Sequence, residues 1–79
     1  MPNSGWTERT DRVLRAVLLA SRREAGLTQR QLAAKLERTQ TFVAMVERGH
    51  RRLSVTEFIE IARALGVSPV TLLQRIERW

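Results

Sequence analysis

Within residues 39–48, five side chains could read a polar surface at close range. At 100° per residue, Gln40, Thr41, Ala44, Met45 and Arg48 share one side of a helix, and Thr39, Val43 and Val46 share the other. Phe42 lies on the flank, where a place at the edge of a core is the simpler reading. The outward set lacks the Glu/Lys pairs that ordinarily support a solvated helix surface. It offers small, apolar and amide groups that end in one arginine. Small residues permit close approach to the edges of nucleic-acid bases. A glutamine carboxamide can bond adenine bidentately, and Thr or Met can touch a thymine methyl. Arg48, with Arg51 and Arg52 in the loop just after it, is placed to meet phosphates. A plain solvated face and an ordinary basic loop are the blander readings of the same residues.

The elements that would position this set are helices throughout. No run alternates apolar and polar residues as a half-buried strand does. The first helix is expected over residues 8–24, with Val13, Leu14, Val17 and Leu18 as its apolar stripe and Gly26 as a left-handed cap. Thr28 and Gln31 form a capping box that opens a second helix over residues 28–36, with Leu32, Ala33 and Leu36 on one face. A turn at Glu37 and Arg38 leads to Thr39, a good N-cap for the third helix, which Gly49 closes. Ser54 and Glu57 form another capping box, opening a fourth helix whose stripe is Phe58, Ile61, Ala62 and Leu65. Ser68 and Pro69 start the last helix, residues 69–78. Residues 1–7 are expected as a flexible tail and residues 8–79 as one domain. The connection between the second and third helices is too short for an antiparallel pair. The two must cross steeply, so that the later helix projects and can enter a groove.

Composition narrows the function classes. The chain has 79 residues, enough for one small domain with a thin core. Its formal net charge is +6, carried almost entirely by arginine, since Lys35 is the only lysine. Such a surplus attracts polyanions. There is no cysteine, and His50 is the only histidine, so neither disulfides nor a Cys/His metal site is expected within one chain. No glycine-rich phosphate loop or catalytic constellation is present, and an enzyme is not expected. No apolar run is long enough to span a bilayer, and residues 1–11 do not read as a signal peptide. A cytoplasmic protein with no cofactor and no small-molecule ligand is the expectation.

The stretch LTQRQLAAKLERTQTFVAMVERGHRRLSVTEFIEIARALGVSP, residues 27–69, resembles the phage repressor and Cro-type (XRE) helix-turn-helix family. The likeness extends over residues 18–73. It rests jointly on the TQ that opens the second helix, Leu32/Ala33/Leu36, Val43 and Val46, the E-x-G of Glu47 to Gly49, and IARALGV. It implies an all-α, five-helix, lambda-repressor-like DNA-binding domain. It implies base contacts from Gln40, Thr41 and Met45, with Ala44 beside them, and a phosphate contact from Gln29 at the positive end of the second helix. Arg38, Thr39, Arg48, Arg51 and Arg52 are expected on the DNA backbone. Arg22 matches a family arginine that pairs with the glutamate ending the third helix, here Glu47. The family has glycine in the turn, where this chain has Glu37, at a cost of roughly 1–2 kcal/mol. The next position is ordinarily apolar, and here it is Arg38. These departures leave two outcomes open: a distorted turn, or an Arg38 directed at the backbone.

In the last helix, Leu72, Leu73, Ile76 and Trp79 fall within one third of the wheel. Leu72 or Leu73 should close the core, and an open Trp/Ile patch is unfavourable unless covered. Leu73, Ile76 and Trp79 are therefore expected at a two-fold homodimer interface. The expected function is a repressor on a pseudo-palindromic operator in double-stranded DNA, with autoregulation as a natural output. The competing reading is a protein-interaction module, or an antitoxin or controller subunit whose main partner is another protein.

Overall fold

The computed structural model describes residues 4–79, with side chains described from residue 7 onward. Five helices follow in order: α1 (Ser4–Glu24), α2 (Gln29–Leu36), α3 (Gln40–Arg48), α4 (Val55–Ala64) and α5 (Pro69–Arg78). Among the described residues there is no strand. No described helix is long and apolar enough to cross a membrane.

The caps are those the sequence sets up. The Thr28 hydroxyl accepts from the Gln31 N–H while the Gln31 carboxamide accepts from the Thr28 N–H, and Ser54 and Glu57 repeat the arrangement on α4. Thr39 caps α3 by accepting from the Phe42 N–H. Ser68 precedes Pro69 at the start of α5. Each cap satisfies helix N–H groups that have no partner within the helix.

One boundary differs. α1 begins at Ser4, not Glu8, so residues 4–7 of the expected tail are helical, while residues 1–3 lie outside the described residues. The apolar stripe that locates a helix in sequence starts only at Val13. The residues before it, SGWTERTDR, hold a single large apolar residue in the sequence and so leave little periodic signal.

The core joins Val17 and Leu18 of α1, Leu32 and Ala33 of α2, Phe42, Val43 and Val46 of α3, Ile61 and Ala62 of α4, Leu65, and Leu72 of α5. Leu72 and Ala62 are completely buried. α3 packs against α1 and α2, so two helices brace it from behind. Thr39, read as inward-facing, is exposed, because its hydroxyl serves the cap. Ile76, expected on an open patch, is half-buried and packs against the core. Leu73 and Trp79 stay exposed, at 50% and 69%.

Candidate nucleic-acid interface

The turn between α2 and α3 keeps its shape without glycine. Glu37 adopts the left-handed conformation, φ 55° and ψ 40°. Its N–H donates to the Ala34 carbonyl at 3.1 Å, and the Arg38 N–H donates to Ala33 at 2.9 Å. These bonds satisfy the last carbonyls of α2 and redirect the chain into α3. Of the two outcomes left open, distortion is therefore not what occurs.

α3 ends just as sharply. Gly49 is left-handed, at φ 83°, and the His50 N–H donates back to the Met45 carbonyl at 2.8 Å. A Cβ at position 49 would lie 2.7–2.9 Å from the Arg15 guanidinium. Glycine is thus favoured here by its backbone conformation, while the Arg15 guanidinium, at the end of a flexible side chain, could shift to admit a Cβ. Arg15 also sets a positive charge beside the carbonyl end of α3, where the helix dipole favours it.

The outward face of α3 is open. Gln40, Thr41, Met45 and Arg48 are exposed and Ala44 is half-buried between them. Among the described residues, no ion pair occupies Arg48. The two flanks of this face are built differently.

On one flank lies a buried ion pair. Arg22 Nε donates to Glu47 Oε2 at 2.7 Å and Nη2 donates to Oε1 at 3.1 Å, while Nη1 reaches the Leu27 carbonyl at 2.8 Å. The side chains are only 11% and 9% exposed, and the bidentate fork satisfies both partners. The pair locks the C-terminal end of α3 onto α1. Gln29 joins it: its Nε2 donates to Glu47 Oε1 at 2.9 Å, and its Oε1 accepts from Gln40 Nε2 at 3.5 Å. Gln29, read as a phosphate contact, is engaged inside the protein through its carboxamide. Its backbone stands at the N-terminus of α2.

On the other flank, Phe42 is 8% exposed and roofed by two arginines. The guanidinium carbons of Arg38 and Arg51 lie 3.9 and 5.2 Å from its ring centroid. Both arginines bind Glu57. Arg38 Nη1 donates to Oε2 at 3.2 Å; Arg51 Nη2 donates to Oε2 at 2.8 Å and Nη1 to Oε1 at 3.2 Å. Arg51 Nη1 also meets the Arg52 carbonyl. Arg38 and Arg51 are therefore held by Glu57, and Phe42 is a core-edge residue. The Ser54 N–H bonded to the carboxylate, with the Arg51 and Arg38 side chains, lowers the Glu57 pKa from 4.5 to about 2. Arg52 stands further out, 81% exposed, 3.5 Å from Asp11. The sequence marks Glu57 only as half of a capping box with Ser54. Nothing local signals partners 19 and 6 residues away.

The expected base-reading residues thus share one open face. The expected backbone contacts divide into the open Arg48 and Arg52, the held Arg38 and Arg51, and Gln29 and Thr39, whose side chains serve the protein itself. Among the described residues, no group of His, Cys, Asp and Glu could hold a metal ion.

Comparison with known proteins agrees with this architecture. A helix-turn-helix family profile matches residues 18–72. An uncharacterised HTH-type transcriptional regulator of Sinorhizobium fredii is 44% identical over 52 residues, covering 66% of this chain and 68% of that protein. The solved XRE-family-like protein of Pseudomonas syringae pv. tomato superposes with a TM-score of 0.89 at 39% identity, covering 95% of this chain and 92% of its own. A restriction–modification controller protein superposes with a TM-score of 0.82 at 28% identity, covering 87% and 91%. The projecting α3, its short turn from α2 and these likenesses agree: the chain belongs to the XRE-type helix-turn-helix family of DNA-binding transcriptional regulators.

Proposed function

We propose that this regulator is a repressor that binds a pseudo-palindromic operator as a homodimer, acts in the cytoplasm, and regulates its own promoter. The observation that carries the reading is the open face of α3, whose amide, hydroxyl and thioether groups suit base edges. Gln40 bonds adenine, Thr41 and Met45 meet thymine methyls, and Ala44 permits close approach. Arg48, Arg52 and the N-terminal end of α2 at Gln29 fix the register on phosphates, which position the protein without reading sequence. Thr39, at the N-terminal end of α3, lies on the same backbone path. Residues 8–79 act as one DNA-binding module. Two copies present their α3 helices to successive major grooves, about 34–36 Å apart.

The test is selection of bound sequences from a pool of random duplexes, followed by footprinting. A two-fold symmetric site with half-sites about 10–10.5 base pairs apart supports the proposal, as does lower output from a reporter carrying that site at its promoter. A single asymmetric site, or no enriched site, contradicts it. The likeness to a restriction–modification controller protein favours a second reading, a controller that raises expression instead of repressing it. Raised reporter output from the same site would select it.

A further inference from the structure

The arginines around the reading face fall into two states. Arg48 is exposed, and Arg52 is 81% exposed with, among the described residues, a long pair to Asp11. Arg38 and Arg51 instead share one carboxylate and lie against one aromatic ring. That carboxylate is itself fixed, because Glu57 accepts from the Ser54 N–H at 2.9 Å and its side chain is only 13% exposed. Arg51 uses both terminal nitrogens on Glu57.

We propose that Glu57 withholds Arg38 and Arg51 from non-specific DNA and yields them to phosphates only when the operator seats α3 in the groove. The inference rests on the DNA-reading assignment made above. A phosphate arriving at either guanidinium must displace a carboxylate already bonded to it. One charge-assisted bond is exchanged for another, so a phosphate with no other contact gains little. Once base contacts hold α3, the same phosphates stay close to both arginines, and the exchange becomes effectively intramolecular. Phe42 keeps the two guanidiniums beside the reading face in either state. Affinity for random DNA comes almost wholly from phosphate contacts, whereas operator affinity does not. Glu57 therefore raises the ratio between the two.

The experiment measures binding of the full chain to random-sequence duplex and to the selected site, across a salt series, for wild type, Glu57→Gln and Glu60→Gln. Glutamine at position 57 retains the capping box with Ser54. Glu60 is exposed on the same helix and controls for the loss of one negative charge. For Glu57→Gln, affinity for random duplex should rise on the order of tenfold at low salt, and log K against log salt should steepen by ~0.9 per arginine released. Glu60→Gln should change little. The Arg38→Gln/Arg51→Gln double variant, which needs no replacement of Glu57, should bind random duplex nearly as wild type does while losing operator affinity. An unchanged slope in Glu57→Gln, an equal gain from Glu60→Gln, or an equal loss on both DNAs in the arginine variant overturns the proposal and leaves DNA reading intact. A wild type with no sequence preference overturns both.

Discussion

Glu37 and Gln40 stand three residues apart and are set by opposite demands. Glu37 serves the turn, at φ 55°, where a Cβ costs roughly 1–2 kcal/mol. Glu37→Gly removes that crowding but frees the unfolded chain, so a net gain of up to about 1 kcal/mol is expected. A thermal melt should show a higher midpoint; a lower one would mean that the Glu37 side chain itself stabilises the turn. Gln40 serves the reading face, and its Nε2 is turned toward Gln29 at 3.5 Å. Gln40→Ala should cost about 1–3 kcal/mol of discrimination at one base pair of each half-site. Met45→Ala should alter preference at a different position. Sequence selection with each variant reads both; unchanged preferences would remove these side chains from base contact.

At the scale of elements, the start of α4 couples folding to charge. The Glu57 carboxyl titrates at about 2 in the folded chain against an ordinary 4.5. A folded-state pKa below the unfolded one stabilises the fold above the unfolded value, and that stabilisation is lost as pH falls toward the folded value. Acid unfolding should therefore show a component between about pH 4.5 and pH 2 that is missing from Glu57→Gln. Equal acid profiles for the two proteins would contradict the shift. The same helix shows what sequence can reveal. Ser54 and Glu57 are three residues apart, and their mutual bonds follow from local geometry, as do those of Thr28 with Gln31. The open face of α3 was legible for the same reason, since periodicity alone assigns it. The Arg38–Glu57–Arg51 cluster was not, because it depends on how α4 packs beside the turn. The bond from Gln29 to Glu47 was not legible either, because tertiary packing, not spacing along the chain, brings the two within 2.9 Å. Arg22 and Glu47, 25 residues apart, were paired only through family resemblance.

Over the whole molecule, α5 both closes the core and leaves apolar side chains uncovered. Leu72 is fully buried and Ile76 packs inward. Arg75 ties the helix to α1 through Ser21 and Glu24, at 3.1 and 3.2 Å. Val70, Leu73 and Trp79 remain 62%, 50% and 69% exposed. If the exposed Leu73 side of α5 joins two copies, Leu73→Glu should leave the fold intact and give a monomer in sedimentation equilibrium, with operator affinity falling steeply. A variant that sediments as wild type does would exclude α5 from the interface.

The net charge of +6 guarantees some attraction to any DNA, so binding alone decides nothing. The most direct test compares a duplex from upstream of this protein's own gene with random duplex across a salt series. Affinity for the upstream duplex at least ~10³-fold tighter, with the preference persisting as salt rises, is the predicted result. Weak and equal binding to both, fading together with salt, would contradict it and leave only the attraction of a basic chain, with an α3 that reads no sequence.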